Sequence, residues 1–122
     1  MWVIIKNKSK ELNLAISELA NIDLNKYYIA KTKINKKLKN VLLNYFFLEI
    51  EHNTNLLNKI KYTKGVQQVL EDSIYHQKII NQFIDFCKSH EDKDGYLQRE
   101  FFLKFLKTKG QFTSGPFKNI FF

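Results

Sequence analysis

Residues 24–40 have the sequence LNKYYIAKTKINKKLKN, and the interpretation of the whole chain depends on this stretch. It contains six lysines and no acidic residue, and it supplies most of the net charge of +8. On a helix, which turns about 100° per residue, one arc of the stretch is cationic and the other carries Tyr27, Ile34 and Leu38. The lysines on the cationic arc are Lys26, Lys33, Lys36, Lys37 and Lys39. The pattern therefore predicts a helix with one cationic face and one core face.

The same periodicity continues beyond residue 40, and we expect one long helix from about residue 23 to residue 62. Asn21 or Asp23 can cap its start, and Gly65 marks the turn after its end. Shorter helices are expected over residues 9–20, 66–87 and 96–107, with Ser9 as a candidate N-cap of the first. Residues 1–5 are expected to form a short strand.

Helix breakers are rare in most of the chain, which has one proline and four glycines. We therefore predict an all-α fold, either a four-helix bundle or an open helical layer with one long helix at about 23–62. Short extended terminal segments would pack on it. A length of 122 residues suits one domain, so residues 1–122 are interpreted as a single helical domain that ends in an aromatic tail at 110–122.

The cationic arc is the main functional candidate, because closely spaced ammonium groups can follow a phosphate backbone and release its counterions. Tyr28 borders the arc and is a candidate for stacking on an unpaired base, whereas Tyr27 falls on the predicted core face. A second basic patch consists of Arg99, Lys104, Lys107 and Lys109. These residues predict a protein that contacts nucleic-acid phosphates, as a small subunit of a nucleoprotein assembly.

The residue types limit what such a surface can recognise. All but one of the 20 basic residues are lysine, and lysine is a point charge that lacks the planar fork with which arginine reads guanine. We therefore expect low sequence specificity. A solvated surface that only maintains solubility is the alternative, since a genome of low G+C content also enriches lysine, asparagine, isoleucine and phenylalanine.

The C-terminal end is more aromatic than a free tail, since seven of the 11 phenylalanines lie from residue 101 onward. Such a segment either folds back over the helices or docks on a partner protein. The docking residues would be Phe117, Ile120, Phe121 and Phe122. The rival function is therefore a protein-interaction module, inhibitor or adaptor that presents its lysine face and this tail to a partner protein.

No catalytic constellation, metal cluster or cofactor motif is recognisable, because His52, His76 and His90 occur singly and no nucleophile has a nearby base. We predict a non-enzymatic protein without a cofactor or a metal. The single Cys87 lies in an apolar pattern, as is typical of a buried thiol in a reducing compartment. No apolar run approaches the length of a membrane span, and we expect an intracellular, soluble protein.

Overall fold

The computed structural model describes residues 1–51, 53–112 and 117. In these residues the fold is mixed α/β, with strands in two antiparallel sheets and short helices. In chain order the elements are β1 (Trp2–Asn7), α1 (Leu12–Ala20), β2 (Tyr27–Tyr28), β3 (Lys31–Ile34), β4 (Lys37–Asn40), β5 (Tyr45–Glu49), α2 (Thr54–Lys61), β6 (Val66–Leu70), a 3₁₀ helix (Glu71–His76), α3 (Gln77–Lys88) and α4 (Arg99–Phe112).

The larger sheet has the strand order β2-β5-β1-β6, so that β1 lies between two neighbours. Val3 of β1 is opposite Leu48 of β5, and Ile5 is opposite Val69 of β6. The central strands are apolar at successive positions instead of alternating, because helices cover both faces of the sheet. Hydrophobic burial on the two faces is therefore what holds β1 and β5 in place.

Alternate residues of β1 belong to two separate hydrophobic clusters. Ile4 packs with Phe47 of β5 under side chains of α3 and α4, including Phe83 and Phe101. Val3 and Ile5 face the other way, toward α1 and α2. Their cluster includes Ala15, Leu19, Phe46, Leu48, Leu57 and Ile60. The molecule thus has three layers, with α1 and α2 on one face of the sheet and α3 and α4 on the other.

Gly65, between α2 and β6, allows a close approach that fixes α1 against the sheet. Its φ is +86°, and a Cβ at this position would lie 2.7 Å from the backbone nitrogen of Ala15. Only glycine fits such a left-handed position next to another backbone. The turn predicted at Gly65 is confirmed.

The second sheet is a hairpin, β3–β4, inserted in the chain between the edge strand β2 and β5. A two-residue turn joins its strands, and both turn residues have positive φ, 52° at Asn35 and 66° at Lys36. These angles are typical of a type I′ turn, whose twist matches that of the paired strands. At the base of the hairpin, the amide of Val41 donates a hydrogen bond of 2.7 Å to the carbonyl of Ala30.

The all-α prediction is wrong. The expected long helix at 23–62 is replaced by β2, β3, β4, β5 and α2, so that among the described residues of this range only Thr54–Lys61 is helical. Strand β5 explains the error, since a short apolar run that is buried on both faces has the same composition as a buried helix segment. Part of the expected third helix is also a strand, β6.

Other expected elements are present with shifted bounds. The first helix begins at Leu12 and its N-cap residue is Glu11, so the predicted cap, Ser9, does not occupy the N-cap position. Glu11 makes no side-chain capping hydrogen bond. The strand expected at residues 1–5 extends to Asn7, and the last helix begins at Arg99. Among the described residues, no helix is long and apolar enough to cross a membrane.

Candidate functional site

The cationic arc does not exist as predicted, because its lysines lie on a hairpin and not on a helix. Neighbouring residues of a strand point to opposite faces, and directly paired residues share a face. The pairs Lys31–Asn40 and Lys33–Leu38 lie on one face, here called the inner face. The pairs Thr32–Lys39 and Ile34–Lys37 lie on the other, called the outer face. The hairpin thus divides its lysines between two surfaces.

The inner-face lysines are held by the loop that precedes α4. The ammonium groups of Lys31 and Lys33 lie 5.0 and 4.9 Å from the centre of the Tyr96 ring. Cation–π contacts of this kind are worth on the order of 0.5–1 kcal/mol at exposed sites. These two lysines help to hold the hairpin against the loop, because their ammonium groups interact with the Tyr96 ring.

Two hydrogen bonds also connect the same loop to β3. The amide of Leu97 donates a hydrogen bond of 2.8 Å to the carbonyl of Lys31, and the Thr32 hydroxyl donates to the carbonyl of Leu97 at 3.3 Å. Within the loop, one carboxylate oxygen of Asp92 accepts hydrogen bonds from the amides of Asp94 and Tyr96, both at 2.9 Å. Asp92 therefore shapes this turn.

The pKa of the Asp92 carboxyl is held below its ordinary value. The amide of Tyr96 is the main cause, followed by the amide of Asp94, the positive charge of Lys33 and the amide of Gly95, while desolvation opposes them. A carboxylate that accepts several amide hydrogen bonds is stabilised in its charged form. The turn under the inner face is therefore built around an ionised Asp92.

The outer face and the tip carry the lysines of the hairpin that have no charged or aromatic partner among the described residues. Lys36 occupies the turn, and Lys37 and Lys39 follow on β4, all with exposed side chains. In the described part of the chain, none of these three lysines has an ion pair or a cation–π contact. Ile34, which shares the outer face, is 49% exposed. This is the most concentrated positive surface on the hairpin.

Lys26 is separate from this surface. It precedes β2 and lines a cavity of about 470 Å³ together with Ile22, Leu24 and Glu49. Its backbone carbonyl accepts a hydrogen bond of 2.8 Å from the amide of Glu49. The structure thus brings Lys36, Lys37 and Lys39 together and leaves Lys26 with a different group of residues.

The two tyrosines of β2 have positions opposite to those that a helix predicts. Tyr28 is buried, and its hydroxyl donates a hydrogen bond of 2.7 Å to Glu91. Its pKa is raised, first by burial and then by Cys87 and Glu91. Tyr27 instead exposes 44% of its surface. Sequence reasoning missed Tyr27, although the alternation of a strand was the signal that could have found it.

The second predicted patch lies on α4 and is mixed in charge. Arg99, Lys104 and Lys107 are exposed, and the side chain of Lys109 lies outside the described residues. Lys104 forms an ion pair of 2.9 Å with Glu100, which holds the pKa of that carboxyl below its ordinary value. An exposed pair of this type contributes little to stability, but it offsets one of the cations.

Phe117, the first of the predicted docking residues, is a core residue. It is fully buried, with its ring centre 5.0 Å from that of Phe83 and 6.1 Å from that of Phe47. Ile120, Phe121 and Phe122 lie outside the described residues. The ring of Phe117 is therefore not available to a partner protein in this structure.

The histidines and the thiol do not form a site in the described residues. The described chain contains no group of three or more His, Cys, Asp or Glu side chains that could hold a metal ion. The Nδ1 atom of His90 lies 2.8 Å from the carbonyl oxygen of Phe86, and burial raises the pKa of the Cys87 thiol. His52 lies outside the described residues.

No protein-family model matches the chain, and a search of curated proteins also finds no match. The functional argument therefore depends on the geometry of the hairpin and its surroundings.

Proposed function

We propose that this protein is a non-enzymatic nucleic-acid-binding protein whose β3–β4 hairpin contacts phosphates with low sequence specificity, as a small subunit of a nucleoprotein assembly. The observation that carries the proposal is the tip and outer face of the hairpin. Lys36, Lys37 and Lys39 are exposed there, and within the described residues no carboxylate neutralises them. Exposed lysines without a neutralising carboxylate can attract a polyanion.

The backbone of Lys36 adopts a conformation that is unfavourable for lysine. A type I′ turn favours Asn-Gly, because glycine has no steric penalty at positive φ. Here lysine occupies the second turn position at φ 66°, where a residue with a Cβ costs about 1–2 kcal/mol. Lys10, Asp23, Asn35 and Leu43 also have positive φ, so this conformation by itself does not mark a functional position. The chain thus places a cation at the tip at a conformational cost.

The geometry also explains the low specificity that we propose. Lys37 and Lys39 are two residues apart on one strand, so their Cα atoms are separated by about 6–7 Å along it. Flexible ammonium groups can follow phosphates at this spacing, but each is a point charge. Contacts to phosphates fix position without reading bases. The hairpin would therefore bind many sequences with similar affinity.

A salt series of oligonucleotide binding tests the proposal. The variant Lys36→Gln/Lys37→Gln/Lys39→Gln removes the three outer cations, and Lys59→Gln/Lys61→Gln/Lys64→Gln is a matched control at the exposed end of α2. For a single strand, each lost phosphate contact reduces the slope of log affinity against log salt by about 0.7. We expect the slope of the hairpin variant to fall by about 2 and that of the control to change little.

Two results would contradict the proposal. The first is wild-type protein that binds neither single-stranded nor double-stranded oligonucleotides at low salt. The second is an equal loss of affinity in the hairpin variant and the α2 variant, which would mean that only the net charge matters. Circular dichroism of each variant checks that the fold is retained.

The alternative function, a module or inhibitor that docks on a partner protein, is less well supported. It uses the lysine face, an accessible aromatic tail, or both. Phe117 is buried between Phe47 and Phe83, so its ring could reach a partner only if the core opened. Phosphate contact needs no such rearrangement, since the outer lysines are already exposed.

A further inference from the structure

An open groove of about 330 Å³ runs beside the base of the hairpin. Its walls come from α1, the edge strand β2, the hairpin and the loop before α4. They include Ile16, Tyr27, Ile29, Lys31, Leu38 and Glu91. Its size is at the lower end of the range of about 300–1,000 Å³ for small-molecule sites. The groove is therefore large enough for one planar ring.

Two apolar side chains in this groove are incompletely covered. Tyr27 is 44% exposed and Leu38 is 50% exposed. Tyr27 lies on the edge strand of the larger sheet, where it pairs with Leu48, and Leu38 lies on the inner face of the hairpin, where it pairs with Lys33. An aromatic ring and an aliphatic side chain thus border the same space from two different elements.

The charges around the groove indicate what could occupy it. Among the described residues that line the groove, Lys31 and Glu91 carry charges of opposite sign, while Lys37 and Lys39 flank Leu38 on β4 and lie on the outer face. The carboxylate of Glu91 in the groove accepts a hydrogen bond from the Tyr28 hydroxyl, and the nearby Asp92 accepts amide hydrogen bonds in its own loop. This balance of charges suits an uncharged flat ring, and negatively charged groups linked to that ring would meet the exposed lysines of the outer face.

An unpaired nucleotide has this chemistry and a paired one does not. In a duplex the faces of the bases are covered by their neighbours, whereas single-stranded bases can stack on aromatic side chains. We propose that this protein binds single-stranded nucleic acid in preference to duplex, with one unpaired base stacked on Tyr27 in the groove beside Leu38. This inference rests on the proposed phosphate contacts of the hairpin and adds the class of nucleic acid.

Fluorescence anisotropy with one RNA oligonucleotide of about ten residues tests the inference. The oligonucleotide is used alone and annealed to its complement, at the same salt concentration. We expect the single strand to bind more tightly. Tyr27→Leu keeps an apolar side chain without a ring and should weaken single-strand binding about fivefold to tenfold. Duplex binding should not change in this variant. Tyr27→Trp, which keeps an aromatic ring, should bind the single strand about as tightly as the wild type.

Tyr75→Leu is the matched control, because Tyr75 is 81% exposed and lies in the 3₁₀ helix after β6, at the opposite edge of the sheet. This variant should bind both probes as the wild type does. The inference is overturned if single strand and duplex bind equally, or if Tyr27→Leu weakens both alike. Wild-type binding to neither probe would overturn the proposed function itself, so the two failures are distinguishable.

Discussion

The larger sheet and the β3–β4 hairpin are neighbours in the chain but are stabilised differently. In the sheet, Ile4, Phe46 and Phe47 are fully buried between helices. In the hairpin, Ile34 and Leu38 are about half exposed, 49% and 50%. Backbone pairing, a two-residue turn and the loop at residues 92–97 hold it. The hydrophobic core therefore depends on the larger sheet. The exposed hairpin can carry charged side chains without disturbing that core.

The largest difference between the two regions should appear when an apolar side chain is truncated in each. Phe47 is fully buried and contacts the rings of Tyr28, Phe83 and Phe117. We expect Phe47→Ala to lower the free energy of unfolding by about 3–5 kcal/mol. Leu38→Ala should change it by less than about 0.5 kcal/mol. Urea denaturation measures both.

If Phe47→Ala does not fold, Phe47→Leu gives the same comparison with a smaller loss. Similar losses in the Leu38 and Phe47 variants would show that the hairpin is part of the core, and the distinction between the two regions would be wrong.

Two glycines with positive φ, Gly65 and Gly95, sharpen the comparison, because the first is buried beside α1 and the second lies next to the hairpin. Gly65→Ala places a Cβ 2.7 Å from the Ala15 backbone nitrogen, whereas Gly95→Ala meets only the Lys31 side chain at 3.5 Å. Both variants have backbone strain of about 1–2 kcal/mol. The first also has a clash, and we expect a total loss of about 3 kcal/mol or more.

Thermal or urea unfolding of the two glycine variants, side by side, checks this prediction. The strain at positive φ is shared, so the difference between them measures the close approach of Gly65 to α1. An equal loss in both would contradict the packing of α1 against Gly65.

The smallest expected effect is at Lys36, where a substitution should raise stability and not lower it. The same substitution should weaken nucleic-acid binding, so stability and function can be separated at one residue. Lys36→Gly removes the strained Cβ from the turn, and we expect it to stabilise the hairpin by about 0.5–1 kcal/mol. It also removes one cation from the tip, so nucleic-acid affinity should fall. Amide hydrogen exchange in β3 and β4 measures the first effect, and oligonucleotide binding at low salt measures the second. Unchanged exchange together with unchanged affinity would show that Lys36 has neither role.

Part of this fold was predictable from local signals. The stripe of apolar residues places the first helix to within a few residues of Leu12–Ala20, and Gly65 marks a real turn with φ +86°. The strand β1 was also expected near the N-terminus. These features depend on neighbouring residues alone, so sequence patterns suffice for them.

The fold class was not predictable from the same reasoning. Strand β5 is apolar at consecutive positions because helices cover both of its faces, and this burial depends on residues far away in the chain. In residues 31–40, lysines two apart on either side of Asn35 and Lys36 did carry a strand signal. The same lysines also fit a helical arc, so their spacing alone does not distinguish a strand from a helix.

The positions of the candidate site residues depend on the fold. Lys36, Lys37 and Lys39 remain together because they are adjacent in sequence, whereas Lys26 and Lys33 are placed elsewhere by the strands. The exchange of roles between Tyr27 and Tyr28 has the same origin, since a strand and a helix orient neighbouring residues differently.

An NMR titration of ¹⁵N-labelled protein with the single-stranded oligonucleotide tests the central claim most directly, because it shows where on the molecule a nucleic acid binds. We predict that the largest shifts occur at the amides of residues 35–39 and at Tyr27, and that amides of β6 and the following 3₁₀ helix do not respond. Shifts that are centred on α4 or on the exposed end of α2, with the hairpin unchanged, would contradict the account.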